Sequence, residues 1–161
     1  MGSSKKATVG YRYSLGVHKV LCHGPIDKIT RIDVDGKTAW TGTNSGGTTA
    51  INAPGLFGGE SREGGVVGNV DVMMGAPAQG RNAYLQSLLG AGIPAFRGVV
   101  SVVLNRVYIG LNPYLKTWAF WASRIHVRQD GRAQWYDAKS QIGDDMNPAH
   151  IIREVLTDPD W

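Results

Sequence analysis

The sequence predicts an α+β fold that is mainly antiparallel β-sheet, arranged as a barrel or a sandwich with one or two short helices. Apolar and polar residues alternate in several short segments, and this period of two is typical of half-buried strands. The chain has 22 glycines in 161 residues, about twice the usual share of roughly 7%. Because these glycines lie between apolar segments, they indicate the turns of a β-rich fold. The length suits one domain, residues 1–161.

The N-terminal part of the chain predicts a strand followed by a hairpin. Alternation over residues 8–18 indicates the first strand, and His23-Gly24-Pro25 predicts the turn that ends it. A second strand is expected over residues 29–34. Asp35-Gly36 then suits a type I′ turn, in which both central residues have positive φ, and a returning strand is expected after it.

Residues 41–65 predict a long glycine-rich loop. The segment contains Thr43-Asn44-Ser45-Gly46-Gly47, then Pro54-Gly55, and ends at Gly64-Gly65. Long loops inside compact domains are often functional. We therefore expect this loop either to grip a neighbouring subunit or to cover a ligand.

A strand and a short helix are predicted next. Residues 66–74 alternate between apolar and polar side chains, which indicates a strand. Asn82 is a good helix N-cap and Gly90 a good stop signal. Between them the apolar residues have the helical spacing i, i+3 and i+4: Leu85, Leu88 and Leu89. We expect a helix of about two turns.

The following region predicts further strands. Residues 99–104 are apolar at every position except one, which is typical of a central strand covered on both faces. Asn105-Arg106 is expected to turn the chain back. Another strand is predicted over residues 118–127, and Asp130-Gly131 signals a second hairpin. Trp135-Tyr136 would lie on its returning strand.

The C-terminal segment predicts a helix over residues 148–157. Asn147 is a good N-cap and Pro148 suits the first helical position. The apolar residues of this segment form one stripe: Ile151, Ile152, Val155 and Leu156. Because little chain follows the helix before Trp161, we expect the sequence to be the N-terminal part of a longer protein.

Composition limits the possible functions. Seventeen Lys and Arg against 13 Asp and Glu give a net charge of +4, which is mild and does not by itself indicate nucleic acid. No stretch approaches the roughly 20 apolar residues of a membrane-spanning helix, and the N-terminus lacks the apolar segment of a secretory signal. Cys22 cannot form an internal disulfide, and we expect it to be buried.

Few residues suggest metal or nucleophile chemistry. His18, Cys22 and His23 come closest to a metal-binding cluster, but they are three donors where a structural zinc site uses four. We interpret them as a strand-end histidine, a core cysteine and a turn histidine. The chain has neither the G-x-S-x-G motif of a nucleophile elbow nor the glycine-rich motif of a phosphate loop. No catalytic residue, metal or cofactor is therefore expected.

Three carboxylates could in principle serve a glycosidase. Glycosidases use two carboxylic acids, and Glu60, Glu63 and Asp71 are the candidates. Glu60 and Glu63 flank Arg62 in the glycine-rich segment, and a neighbouring cation favours the ionised form of both. A general acid needs a raised pKa instead, so we expect solvated surface carboxylates and a protein that is not an enzyme.

Residues 96–139 combine basic and aromatic side chains. Such a mixture can bind single-stranded nucleic acid, but Trp, Tyr and Arg are also enriched at protein interfaces. We favour the protein interface and expect no nucleic-acid binding. The expected interface residues in this region and in the preceding loop are Phe57, Arg62, Arg97, Tyr114, Trp118, Trp121, Arg124, Arg128, Trp135 and Tyr136.

Five sequence segments, in a fixed order, carry a family resemblance. They are TVGYRYSLGVHKVLCHGPID (residues 8–27), INAPGLFGGESREGGVVG (51–68), IPAFRG (93–98), NPYLKTWAF (112–120) and MNPAHIIREVLTDPDW (146–161). Together they resemble the N-terminal hub region of the tail-tip proteins, the host-specificity or tip-attachment family of phages with long non-contractile tails. The resemblance covers nearly the whole chain, and its specificity lies in the co-occurrence and order of the segments.

The resemblance implies a structural role. Such a hub is a homotrimer that closes the end of the tail tube, contacts the distal tail protein and the tape-measure protein, and continues into receptor-binding parts that this chain lacks. It also implies a place at the tail tip of the virion, after synthesis in the host cytoplasm. Two alternatives stay open: a module that binds cell-surface glycans, and a tail-associated cell-wall hydrolase.

Overall fold

The computed structural model describes residues 10–157, and it confirms the predicted α+β fold with mainly antiparallel sheets. The first sheet has four strands, in the order β1 (Tyr13–His23), β6 (Val99–Gly110), β5 (Val66–Met73) and β4 (Gly47–Ala53). The second sheet has three, in the order β3 (Lys37–Asn44), β2 (Lys28–Val34) and β7 (Trp118–Ser123). Both sheets are open, and neither closes into a barrel.

The remaining elements are short. Helix α1 (Ala83–Leu89) lies between β5 and β6 in the chain. Residues 124–157 form what is called here the C-terminal unit. Its elements are a 3-10 helix (Asp137–Lys139), the two-stranded ladder of β8 (Gln141–Ile142) and β9 (Asp145–Met146), and helix α2 (Pro148–Thr157).

The two sheets share one hydrophobic core, as in a sandwich. Strand β2 contributes side chains from one sheet, and β5 and β6 contribute side chains from the other. The fully buried members, each with 0% exposure, include Ile29, Ile32, Val34, Val70, Val102 and Leu104. Burying one such aliphatic side chain stabilises the fold by about 1.5–3 kcal/mol, so this core holds the sheets together.

Strand β6 is covered on both faces, as predicted for residues 99–104. Val102 and Leu104 face the main core, whereas Val103 packs with Met73 and with Leu85 of α1 in a second, smaller cluster. One face of this strand therefore packs in the core between the two sheets, and the other face packs against α1.

Helix α1 begins and ends where its capping residues predict. The Oδ1 atom of Asn82 accepts the backbone N–H of Leu85 at 3.0 Å, and Gly90 follows with a φ of 91°. Leu85 is buried, but Leu88 and Leu89 are 56% and 71% exposed. Of the three leucines of the predicted apolar stripe, only Leu85 is therefore buried.

The first hairpin forms as predicted, but the first strand begins and ends later in the chain than predicted. Asp35 and Gly36 have φ values of 54° and 73°, as a type I′ turn requires. Strand β1 covers Tyr13–His23 instead of residues 8–18. Residues 8 and 9 lie outside the described residues, and β1 continues past its alternating part because β6 pairs with it as far as His23.

Asn105-Arg106 does not turn the chain back, and β6 runs on to Gly110. Leu15 of β1 pairs with Val107, and Val17 pairs with Leu104. Over this stretch β6 therefore contains one residue more than β1. Arg106 has a φ of 49°. The extra residue forms a bulge, and the strand persists because buried side chains on both sides of the bulge hold it in the sheet.

The prediction of a long loop over residues 41–65 is wrong for the first half of this range. Residues up to Asn44 complete β3, and β4 starts at Gly47, so a two-residue turn passes the chain from one sheet to the other. Gly46 donates its N–H to the Asn44 side chain at 2.7 Å, and its φ is 114°. The real loop covers residues 54–65, where Gly59 and Gly64 exchange backbone hydrogen bonds.

The strand predicted over residues 118–127 ends at Ser123. The carboxylate of Asp27 accepts the backbone N–H groups of Ile125 and His126, which takes these groups out of the ladder. The Asp130-Gly131 hairpin survives as a single bridge between Val127 and Ala133. Trp135-Tyr136 lies in a turn, not on a returning strand.

Candidate interaction surface

Helix α2 has the predicted bounds, but its apolar side faces outwards. Its inward residues are His150 and Glu154, which are 2% and 8% exposed. Its four apolar residues are exposed, by these fractions of their surface: Ile151 47%, Ile152 60%, Val155 55% and Leu156 78%. These four residues are called here the α2 apolar face. An amphipathic helix normally packs its apolar stripe inwards, whereas here the inward position of His150 and Glu154 leaves that stripe exposed.

Glu154 holds the polar side of α2 against the rest of the C-terminal unit. Its carboxylate accepts a hydrogen bond from the guanidinium of Arg124 at 2.6 Å and from the backbone N–H of Gln129 at 3.1 Å. The side-chain amide of Gln134 donates to the same carboxylate at 3.4 Å. A nearly buried carboxylate needs such partners, because its desolvation is costly. These contacts determine which side of the helix faces outwards.

Two exposed aromatic residues adjoin this helix. Trp135 is 58% exposed; its ring lies 5.6 Å from that of His150, and the Arg153 guanidinium lies 5.2 Å from its centre. Tyr136 is 53% exposed, with its ring 6.2 Å from Trp135. Exposed contiguous apolar and aromatic side chains are typical of protein interaction sites.

The tryptophans of β7, an edge strand, lie in different surroundings. Trp118 is half-buried against the core. Trp121 is 55% exposed; it donates its indole N–H to Asp33 at 3.3 Å and lies under the Arg31 guanidinium. Arg31 also hydrogen-bonds Asp33 and lowers the pKa of that carboxyl. Of the two predicted interface tryptophans on β7, only Trp121 is therefore mostly exposed.

The other predicted interface residues are dispersed. Tyr114 is 76% exposed in the β6–β7 loop, and Arg62 is exposed in the β4–β5 loop. Arg97 is exposed beside Gln79. Phe57 is only 8% exposed and belongs to the core, so it does not present an interface side chain. Its ring is covered by the ammonium group of Lys116 at 4.0 Å.

The predicted arginines of the C-terminal unit serve internal contacts. Arg124 is paired with Glu154, and Arg128 lies 3.6 Å from Asp130. Arg132 shares the Asp130 carboxylate, and Lys116 pairs with Glu63 at 3.2 Å. Carboxylates within the chain thus engage these four cations, whereas Arg97, Arg106 and Lys139 form no ion pair within residues 10–157.

Glu60 and Glu63 are both engaged with cations. Glu60 pairs with Arg12 at 2.6 Å. The hydrogen bond and charge of Lys116 lower the pKa of Glu63. A lowered pKa is the opposite of what a glycosidase general acid requires. The lowered pKa of Glu63 therefore argues against this residue as the acid of such a pair.

A serine, a histidine and an aspartate meet in the C-terminal unit, although no triad motif is recognisable in the sequence. His126 Nδ1 lies 2.9 Å from the Asp137 carboxylate and 3.1 Å from Ser140 Oγ. Catalysis needs the serine and the aspartate on opposite ring nitrogens, and here both contact the same one. Ser140 is also fully buried. The cluster therefore ties His126 to the 3-10 helix; the Asp137 hydrogen bond raises the pKa of His126.

The possible metal ligands of β1 do not converge. His18 lies within the strand, with its ring 4.4 Å from that of Phe96, and burial lowers its pKa. Cys22 is exposed, not buried as expected, although the surrounding protein still raises the pKa of its thiol. Among residues 10–157, no group of three or more His, Cys, Asp or Glu side chains could hold a metal ion.

Comparison of the sequence with models of known protein families and with curated proteins found no match. In the described part of the chain, no helix is long and apolar enough to cross a membrane.

Sequence reasoning missed His150, Glu154 and Gln134 as the residues that orient α2. A signal for two of them was available. His150 and Glu154 are four residues apart and share one helix face opposite the apolar stripe. Their burial could not be anticipated, because Arg124 and Gln134 approach them from distant parts of the C-terminal unit.

Proposed function

We propose that this chain is a structural assembly module of the tail-tip hub of a phage with a long non-contractile tail, and not an enzyme. The observation that carries the proposal is the outward α2 apolar face, which Glu154 and His150 impose by occupying the inner side of the helix. Such a surface is stabilised when another polypeptide covers it. The resemblance of the five segments to hub regions names the assembly.

In this proposal the chain forms a homotrimer at the virion tail tip and contacts the distal tail and tape-measure proteins. Receptor contact belongs to parts outside this sequence. A closed ring needs each copy to present two different surfaces. The α2 apolar face with Trp135 and Tyr136 is one candidate, and the edge strand β7 with Trp121 is another.

The proposal is tested by the mass of the protein in solution. Light scattering over a wide concentration range should report a species of three times 17.4 kDa, and a purified distal tail ring of the same phage should bind that species. A strictly monomeric protein at high concentration that also ignores the ring would contradict the proposal.

A glycan-binding module is the second candidate. Tyr114, Trp135 and Tyr136 are exposed aromatic residues outside the two sheets, and aromatic rings of this kind can stack on sugars. A glycan array is the direct measurement. Signals that disappear in Tyr114→Ala or Trp135→Ala would favour this function, and an empty array would count against it.

A further inference from the structure

An open cavity with two arginines in its wall lies apart from the α2 apolar face. It measures about 660 Å³ and is lined by Arg81, Pro94, Ala95, Phe96 and Arg97. Sites for small organic ligands usually measure about 300–1,000 Å³. The cavity, called here the arginine cavity, is therefore larger than a single small anion needs.

Neither arginine is neutralised within the described residues. Arg81 and Arg97 form no ion pair with a carboxylate of residues 10–157, whereas five of the other eight arginines do: Arg12, Arg31, Arg124, Arg128 and Arg132. Two guanidinium groups in one cavity repel each other unless an anion lies between them. The charge of this cavity is therefore complementary to an acidic ligand.

Gln79 organises the walls of the cavity. Its side-chain amide donates to the carbonyls of Ala95 and Phe96 at 2.8 and 2.9 Å, and its side-chain oxygen accepts the N–H of Gly75 at 2.7 Å. The backbone carbonyl of Gln79 accepts a hydrogen bond from Arg97 Nε at 3.2 Å. Gln79 thus joins the loop before α1 to the loop after it, and it positions Arg97 before any ligand binds.

The Pro94–Arg97 wall is also held from behind. Ile93 and Phe96 pack against the cluster of Met73, Leu85 and Val103. Phe96 has a φ of 50°, a conformation that costs a non-glycine residue about 1 kcal/mol or more and persists where packing imposes it. The wall is a built feature of the fold and not a loose loop.

We propose that the arginine cavity binds the carboxylates of an acidic peptide segment from another polypeptide. Planar guanidinium groups match carboxylates with two parallel hydrogen bonds. The apolar part of the wall, Pro94, Ala95 and Phe96, suits the methylene groups and backbone of a peptide. A phosphate polymer would instead require a longer run of unpaired cations. This proposal goes beyond the proposed function and depends neither on the trimer nor on the α2 apolar face.

Calorimetric titration with three probes tests the proposal: capped tetraglutamate, capped tetraglutamine and inorganic pyrophosphate. Tetraglutamate should bind saturably and more weakly as salt rises, and tetraglutamine should not bind. Arg81→Gln and Arg97→Gln should each weaken tetraglutamate binding at least tenfold. Arg62→Gln, which removes an exposed arginine from the β4–β5 loop, is the matched control and should leave the affinity unchanged.

Several results would overturn the proposal. These are a lack of saturable tetraglutamate binding, affinity that survives in both arginine variants, and pyrophosphate binding at least as tight as that of tetraglutamate, which would make the cavity a phosphate site. The thermal unfolding midpoint of each variant establishes that it is folded. Arg81 makes no side-chain hydrogen bond among the described residues, so Arg81→Gln keeps the test decisive if Arg97→Gln disturbs the Gln79 contacts. A strictly monomeric protein that also fails to bind the distal tail ring would contradict the proposed function and leave this site intact.

Discussion

The guanidinium of Arg124 donates to the carboxylate of Glu154 at 2.6 Å and connects the residue after β7 to the inner side of α2. The pair is mostly buried, since the exposed fractions of the two side chains are 30% and 10%. It links the orientation of the last helix to the end of the second sheet. The exposure of the α2 apolar face is a consequence of this contact.

Removal of the Glu154 charge should loosen the C-terminal unit. Glu154→Gln leaves the Arg124 cation without its partner, and breaking such a pair should cost about 2–3 kcal/mol, less than for a fully buried pair because Arg124 is partly solvated. Urea unfolding and hydrogen exchange of the α2 amides measure the effect. Glu60→Gln is the matched control, because its ion pair with Arg12 has the same 2.6 Å length but is exposed. Equal losses in the two variants would contradict the assigned role of Glu154.

The α2 apolar face should control association. Ile152→Glu places a charge in the middle of this face, and burying that charge in a subunit interface would be unfavourable. We expect the proposed trimer to dissociate in this variant at concentrations where the unmodified chain stays associated, as measured by sedimentation equilibrium. Leu89→Glu tests an exposed leucine of similar character on α1 and should leave association unchanged. A trimer that tolerates Ile152→Glu would exclude this face from the interface.

The His126–Asp137 contact predicts a pH dependence of stability. Asp137 raises the pKa of His126 above its ordinary value. The stabilisation is therefore fully present below the unfolded-state pKa of about 6.5 and is lost as pH rises through the folded-state pKa. His126 in turn lowers the pKa of Asp137, so the same contact weakens as pH falls through the acidic range. Between these limits both groups are charged.

The measurement is the difference in unfolding free energy between the unmodified chain and His126→Gln from pH 5 to pH 9. Subtraction is needed because burial lowers the pKa of His18, whose contribution has the opposite sign and is lost as pH falls. The difference should shrink as pH rises. A constant difference would show that His126 acts only as a neutral hydrogen-bonding group.

The shared core should tolerate truncation poorly. Leu104 has 0% exposure in the core between the sheets, and Leu104→Ala should cost about 2–5 kcal/mol through lost burial and a residual cavity. Leu89→Ala on the exposed surface of α1 should cost far less. Denaturant unfolding of both variants compares them directly. Similar losses would mean that the two sheets do not depend on this core.

The interface residues predicted from the sequence did not include Arg81, one of the two cations of the arginine cavity. Arg97 was selected because it lies in a region rich in aromatic and basic residues. Nothing in the local pattern pairs these two arginines, which are separated by α1 and the loop after it. Their shared cavity arises because Gln79 binds the Pro94–Arg97 wall from another loop. Long-range side-chain contacts of this kind leave no periodic signal.

Features that depend on interactions between nearby residues were predictable from the amino-acid sequence alone. Asp35-Gly36 forms its predicted turn, Asn82 and Gly90 bound α1, and α2 covers Pro148–Thr157, because each depends on backbone preferences and hydrogen bonds within a few residues. The mainly antiparallel α+β class followed from the same short-range alternation.

Which surfaces of these elements are paired or buried depends on contacts between residues far apart in the chain. Neighbouring strands keep β6 extended through Asn105-Arg106, where local propensity favours a turn. The carboxylate of Glu154, held by a distant arginine, turns the apolar side of α2 outwards, where amphipathicity alone predicts the reverse. At Asn105-Arg106, burial and pairing with residues far along the chain outweigh a local preference of about 1 kcal/mol.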